Sequence, residues 1–168
     1  LHLGAHLDMA DSWAGEKMTS PCTMARITEL PNVHPENVAH VGARNSMNPR
    51  DHVELAESRG IRFFSMREVI DRGIAPVVDE AADRLWNDTA GQYLSINMNV
   101  MDASAAPGVT APEPGGLESR EVMQLATLLG EKGTPSIIEI SELRPVHDVS
   151  DTTSKLAAYI ALRLMATA

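Results

Sequence analysis

Short apolar runs separated by helical segments restrict the fold of this chain more than any other feature. Five such runs are typical of buried strands, at residues 1–5, 38–42, 61–64, 93–98 and 136–140. The intervals between them are long enough for helical crossovers, which indicates parallel pairing. The sequence therefore predicts an α/β fold, a three-layer α/β/α sandwich around a mainly parallel sheet.

Helix signals fill the intervals between the predicted strands. Asn48 is predicted to cap a helix over residues 49–59. Ser65 and Glu68 have the spacing of a capping box, so a helix is expected directly after the third strand. A closing helix is predicted to begin near residues 151–152.

Charge and cysteine content exclude several classes of partner and site. Fourteen Lys and Arg against twenty-three Asp and Glu give a net charge of −9, which repels nucleic acid and anionic membranes, so neither is expected as a partner. The single cysteine, Cys22, excludes an internal disulfide and a multi-cysteine zinc site. A secretory leader is not recognisable, so we expect a cytoplasmic protein.

One segment interrupts the alternation of strands and helices. Residues 102–116 contain three prolines and three glycines and directly follow a predicted strand, so they are predicted to be a loop. Because α/β proteins build ligand sites at the carboxyl ends of parallel strands, this loop is a candidate part of such a site. The alternative is a passive surface loop.

Three motifs carry a resemblance to a known family. Residues 93–121, YLSINMNVMDASAAPGVTAPEPGGLESRE, resemble a signature in which S-F-D-x-D-x-x-D-P leads into A-P-G-x-x-x-P-E-P-G-G and ends in R-E. LHLGAHLDM at residues 1–9 is similar to a D-A-H-x-D strand end, and VGARN at residues 41–45 is similar to I-G-x-R-G. The chain is identified as a member of the ureohydrolase (arginase and agmatinase) family, as one domain over residues 1–168.

This resemblance implies an arginase-like fold and a metal-dependent reaction. In the family, two manganese ions bridged by hydroxide hydrolyse a guanidino C–N bond and release urea. It also implies a small guanidino or amide-like ligand and a homo- or hetero-oligomer, commonly a trimer or hexamer. Leu1 falls in a predicted buried strand, so further strands and helices, with the family's G-G-D-H motif, are expected N-terminal to it.

Several residues at the family's metal-ligand positions differ here. His6 and Asp8 match the family's His and second Asp, whereas Gly4 stands where the first Asp is expected, and Asn97 and Asn99 replace two further aspartates. Amides are neutral and glycine has no side chain, so one carboxylate would face two dications. We therefore predict that a bridged pair of metal ions does not assemble.

A single metal ion is an alternative to the pair. His6, Asp8 and an asparagine carbonyl are candidate ligands for one divalent ion, with His2 as a further candidate because it has the same alternation along the strand. The structural alternative is a hydrogen-bonded imidazole for His6 and a turn or helix-capping role for Asp8.

The resemblance also suggests roles outside the metal positions. Glu121 matches a glutamate that pairs with the substrate guanidinium, although a carboxylate in the first turn also stabilises a helix. Met18 stands where the general-acid histidine is expected, and methionine carries no titratable proton, so no catalytic residue is assigned. Asp102 and Glu113 are predicted to support the loop, and Cys22 to be a core thiol.

These observations leave three hypotheses for the function. The first is a ureohydrolase with an altered metal site, and the second is a catalytically silent family member that acts as a partner subunit or ligand-binding module. The third is a mononuclear zinc or iron hydrolase.

Overall fold

A parallel sheet forms the middle layer of the fold, as the alternation of strands and helices predicts. The computed structural model describes residues 1–166. The sheet has the order β3-β2-β1-β4-β5, and every pairing between neighbours is parallel. The strands are β1 His2–Leu3, β2 Ala39–Ala43, β3 Arg62–Ser65, β4 Tyr93–Asn97 and β5 Ile137–Ser141.

Helices connect the strands and follow the last one. They are α1 Thr23–Ile27, α2 Arg50–Ser58, α3 Met66–Arg72, α4 Ile74–Trp86, α5 Ser119–Lys132 and α6 Thr152–Ala166. The predicted helix over residues 49–59 differs from α2 by one residue at each end, and α6 begins where the closing helix was expected.

Two separate hydrophobic clusters cover the sheet. The larger cluster contains Phe64 and residues of α3, α4, α5 and α6, and the smaller one contains Phe63 and residues of α1 and α2. Successive residues of a strand point to opposite faces, so these neighbours in β3 mark the two faces of the sheet. Helices therefore lie on both sides, which confirms the predicted three layers.

The strand order places a switch point between β1 and β4. From β1 the chain continues to β2 and β3 on one side, and it then crosses back to form β4 and β5 on the other. In α/β proteins, ligands bind at the carboxyl ends of the strands that flank such a switch point.

The prediction that Asn48 caps α2 is wrong. Pro49 precedes α2 and no side chain caps it there, whereas the Asn48 amide bonds the segment after β1. Asn48 Oδ1 accepts from Leu7 N at 2.7 Å, and Asn48 Nδ2 donates to Ala5 O at 2.9 Å and to Arg44 O at 2.6 Å. Backbone groups that follow β1 form hydrogen bonds with the Asn48 side chain, which is therefore not available to cap α2.

The predicted capping box at the start of α3 is half correct. Ser65 Oγ accepts from Glu68 N at 3.2 Å. The Glu68 carboxylate, however, accepts from Arg62 and Arg72. Because Arg62 also lies over the Phe64 ring, 3.9 Å from its centroid, packing in this corner draws the carboxylate away from the helix terminus.

Residues 1–166 include no helix long and apolar enough to cross a lipid bilayer.

Asp148 fixes the start of α6. Its carboxylate accepts from Thr153 N at 2.9 Å and from Ser154 N at 2.8 Å, two amides that the first helical turn leaves without partners. Burial opposes ionisation, but these bonds outweigh it and lower the pKa of Asp148 to about 2. The predicted loop is joined to the same turn, because Gly108 N donates to Thr153 Oγ1 at 2.8 Å.

We expect Asp148→Ala to lower the free energy of unfolding by about 1 kcal/mol, as loss of a helix cap does. The depressed pKa means that this contribution is complete above about pH 4 and is lost as the pH falls toward 2. Urea unfolding at pH 7 and pH 3 measures both effects. The control is Asp83→Ala, an exposed aspartate of α4; an equal loss in the two variants would contradict the capping role.

Candidate functional site

Most of the predicted site residues lie at the switch point, at the carboxyl ends of β1 and β4. Residues 4–8 follow β1, and Asn97 ends β4, with Asn99 two residues further on. Register brings the two segments side by side, since Leu3 pairs with Ile96. Parallel pairing thus assembles residues that are distant in sequence.

The Asn99 amide connects the two strand ends. Asn99 Oδ1 accepts from Ala5 N at 3.0 Å, which fixes the orientation of the amide because a backbone N–H requires an acceptor. Asn99 Nδ2 then faces His6 Nδ1 at 3.4 Å and donates to it. Asn97 Oδ1 accepts from Asn99 N at 3.0 Å, so both amide oxygens are bonded to protein donors.

His6 has a partner at each ring nitrogen. Nδ1 accepts from Asn99, so the ring proton lies on Nε2, which is 3.3 Å from Glu113 Oε1. The other carboxylate oxygen of Glu113 accepts from Asn45 Nδ2 at 2.6 Å. Burial raises the pKa of Glu113, but the bonds from Asn45 and His6 outweigh it, so the pKa is lowered overall.

Asp8 lies beside a second imidazole. Asp8 Oδ2 is 3.7 Å from His2 Nε2, and both side chains are nearly buried. His2 Nδ1 is 3.2 Å from Ser95 Oγ, whereas His2 Nε2 has no hydrogen-bond partner within residues 1–166. Asp8 adopts a left-handed backbone conformation with φ 51°, and its carbonyl accepts from Met24 N and Ala25 N at the start of α1. The predicted turn role therefore agrees with its backbone.

His40 is a buried histidine that sequence analysis missed. His40 Nε2 donates to Gly4 O at 3.0 Å, and its ring centroid is 5.0 Å from that of His2. Burial, and next the neighbouring His2, lower the pKa of His40 well below its ordinary value, so the ring is neutral. The signal available in the sequence was the presence of a histidine inside the predicted buried strand at residues 38–42.

Arg44 is a second residue that sequence analysis left without a role. Its guanidinium donates only to carbonyl oxygens, those of Asn99, Val100, Met101, Glu113 and Pro114, at 2.9 to 3.3 Å. Burial lowers the pKa of Arg44. The side chain thus joins the end of β2 to both ends of the predicted loop, and VGARN was the motif that contained it.

The predicted loop is ordered from within. Asp102 Oδ1 accepts from Ser104 N and Ser104 Oγ, and Asp102 Oδ2 accepts from Gly115 N at 2.7 Å. These bonds lower the pKa of Asp102 to about 2. Gly116 is needed here, since a β-carbon would lie 2.5 Å from Val100 O. The contacts of Asp102 are those expected of a residue that supports a loop.

Other predicted residues lie apart from this network. Met18 is 85% exposed. Glu121 Oε2 accepts from Glu118 N at 2.8 Å, at the start of α5, which is the helix-stabilising alternative. Cys22 is buried and lies 3.3 Å from Thr19 Oγ1, so it has the contacts of a core thiol.

Histidine and carboxylate side chains are spread through the site rather than focused on one point. Within residues 1–166, no group of three or more His, Cys, Asp or Glu side chains is placed to hold a metal ion. Two histidine–carboxylate pairs are present, His6 with Glu113 at 3.3 Å and His2 with Asp8 at 3.7 Å.

Comparison with known proteins identifies relatives over the whole chain. The family model described as "Arginase family" matches residues 1–167. The formimidoylglutamase of Halalkalibacterium halodurans is 28% identical over 98% of this chain and 51% of its own length, and the arginase of Brevibacillus brevis is 32% identical over 76% and 42%. The crystal structure of formimidoylglutamase from Bacillus subtilis superposes with a TM-score of 0.91 at 25% identity, covering 99% of this chain and 51% of that one. The chain thus spans about half the length of the relatives it matches.

We expect Arg44→Met to lower the free energy of unfolding by about 3 kcal/mol, because buried carbonyl groups lose a charged donor. Urea unfolding measures the loss. Arg50→Met is the matched control, since the Arg50 side chain is 90% exposed and pairs with Glu54 on the same helix; it should change stability by less than about 0.5 kcal/mol. A loss in Arg44→Met no larger than in the control would contradict the role given to Arg44.

Proposed function

The chain belongs to the arginase family, and from that premise we propose that it binds a small guanidino or amide-like molecule without assembling a pair of metal ions. The binding site lies at the carboxyl ends of β1 and β4. Arginase-family relatives are generally metal-dependent, and the resemblance implies manganese, so the fit of this site to metal ions decides between the hypotheses.

The hydrogen bonds of the site carry the proposal. A hard cation needs free oxygen donors, whereas Asn97 Oδ1 and Asn99 Oδ1 each accept from a backbone N–H. A metal bound through histidine needs a free ring nitrogen, and both nitrogens of His6 have protein partners. Two metal ions would therefore have to break this network before binding.

Charge balance supports the same conclusion. Two divalent ions and a bridging hydroxide carry a net charge of +3, and Asp8 supplies one negative charge close to them. Glu113 supplies another, but His6 and Asn45 already bond its two oxygens. Cations held close together without sufficient anions repel strongly where water is excluded, so the residues present do not fit a manganese pair.

A single organic cation suits the same residues better. A guanidinium group carries one positive charge and several N–H donors, and the Asp8 carboxylate can balance that charge. Relatives carry the names formimidoylglutamase, arginase and guanidinopropionase, which supports a guanidino or amide-like class of ligand. Such a protein would act as a ligand-binding module or as a partner subunit in a homo- or hetero-oligomer, in the cytoplasm.

One observation favours a second candidate, a hydrolase with a single metal ion. His2 Nε2 lies 3.7 Å from Asp8 Oδ2 and has no hydrogen-bond partner within residues 1–166. Metal–ligand distances of about 2.0–2.2 Å allow one ion to contact both atoms. This pair is short of the three protein ligands that catalytic zinc sites use, so we rank this candidate second.

Elemental analysis and ligand binding test the proposal together. After incubation of the full chain with Mn(II) and gel filtration, we expect no retained manganese, no urea from a panel of guanidino compounds, and a rise in melting temperature with one of them. Asp8→Asn should abolish that rise, while Asp83→Asn, at an exposed position of α4, should leave it unchanged. About two manganese ions per chain, or urea release, would refute the proposal, and one retained ion would support the second candidate.

Restoring carboxylates should destabilise the metal-free protein. Asn97 and Asn99 are 6% and 1% exposed, so Asn97→Asp with Asn99→Asp buries two charges and removes the donor to His6; we expect a loss of about 3 kcal/mol or more. Urea unfolding measures it. The control is Asn32→Asp at an exposed position, and a loss as small as the control's would show that the amides are not essential to the network.

A further inference from the structure

The imidazole of His2 occupies the space at the end of β1 that a side chain at position 4 would need. A β-carbon built on Gly4 would lie 2.8 Å from His2 Nε2 and 3.5 Å from His2 Cδ2, and its other near neighbour is His6 O at 3.4 Å. A separation of 2.8 Å is well inside the contact distance of about 3.5 Å for nonbonded heavy atoms. The imidazole of His2 is therefore the main obstacle to a side chain at position 4.

The His2 ring has little freedom to move aside. His2 is 4% exposed, its Nδ1 is 3.2 Å from Ser95 Oγ, and the His40 ring lies against it. Its backbone pairs with β2 on one side and β4 on the other. Any rotation would break the bond to Ser95 in an interior packed as tightly as a crystal.

The remaining nitrogen of the ring is directed into the site. His2 Nε2 is buried, has no hydrogen-bond partner in the described part of the chain, and lies 3.7 Å from Asp8 Oδ2. A buried polar atom without a partner carries a desolvation cost, and in native proteins it commonly has a functional reason. Gly4 stands where the family resemblance places the first metal-binding aspartate. The His2 Nε2 atom therefore lies close to the place that the carboxylate of that aspartate would occupy.

We infer that His2 and Gly4 form a coupled pair, in which the imidazole replaces the side chain of position 4 and sets which ligands the site accepts. His2 presents an imidazole nitrogen toward Asp8, 3.7 Å from its Oδ2, in place of a bridging carboxylate. This inference rests on the proposed function, because it explains why the site excludes paired dications. It requires that no side chain be added at Gly4 unless His2 is shortened.

A thermodynamic cycle on the full chain tests the coupling. Gly4→Ala should lower the melting temperature by several degrees, because the added methyl group meets the imidazole. In the His2→Ala background the same change should be neutral or stabilising, because the methyl group fills part of the vacated space. The non-additivity should exceed about 3 °C for a chain of this length. Additive effects, or a Gly4→Ala protein as stable as the wild type, would overturn the inference.

Gly91→Ala is the matched control for this cycle. A β-carbon on Gly91 would meet only Ser136, at the ordinary contact distance of 3.5 Å, so its effect should add to that of His2→Ala. His2→Ser replaces His2→Ala if the alanine variant does not fold, since serine leaves a similar space.

Metal retention tests whether His2 sets the ligand. Two proteins are compared, both with Gly4→Asp, Asn97→Asp and Asn99→Asp, and one with His2→Ala in addition. We expect manganese to be retained, and to raise the melting temperature, only in the protein without His2. Equal retention in both, or none in either, would overturn the role of His2 as the residue that selects the ligand. Manganese bound by the unchanged chain would instead refute the proposed function, and the cycle would still decide whether His2 and Gly4 are coupled.

Discussion

The hydrogen bond from Ala5 N to Asn99 Oδ1 joins the two strand ends on which the candidate site depends. The groups lie at the switch point of the sheet, where β1 and β4 run side by side and then diverge. A backbone amide beyond the last ladder bond needs an acceptor when it is buried. Asn99 supplies that acceptor, and its other end positions His6, so one side chain sets the geometry of both segments.

Neutral groups meet this need without the cost of burying charge. An aspartate at either asparagine position would present two acceptor oxygens and no donor, and it would be stable in a buried setting only with a cation nearby. Both amide oxygens accept from backbone N–H groups, and Asn99 Nδ2 donates to His6. Asparagine in place of aspartate at these positions supplies the hydrogen bonds that the strand ends need, and it also removes the anions on which a metal pair depends.

Charged side chains hold the surrounding loop in place by hydrogen bonds to backbone groups rather than by ion pairs with other side chains. Arg44 donates to carbonyl groups at both ends of the segment, and Asp102 accepts from its amides. A guanidinium and a carboxylate that fill their hydrogen-bonding capacity on the backbone fix a loop that lacks regular structure. This explains how a segment rich in proline and glycine lies in one place beside the strand ends.

Sequence alone determined the fold and the strand ends at which the candidate residues lie, because both depend on local patterns. Apolar runs marked every strand of the sheet, helical spacing indicated the crossovers, and the motifs at residues 4–8 and 97–99 lie where parallel strands end. Tertiary structure decided the bonding of each side chain. Asn48 is a residue type that commonly caps helices, yet it bonds the segment after β1. Contacts between elements distant in sequence determine the hydrogen bonds of Arg44 and His40 and the steric conflict between His2 and a side chain at position 4. Such contacts have no local signature, since hydrogen-bond partners and available volume are properties of the assembled interior.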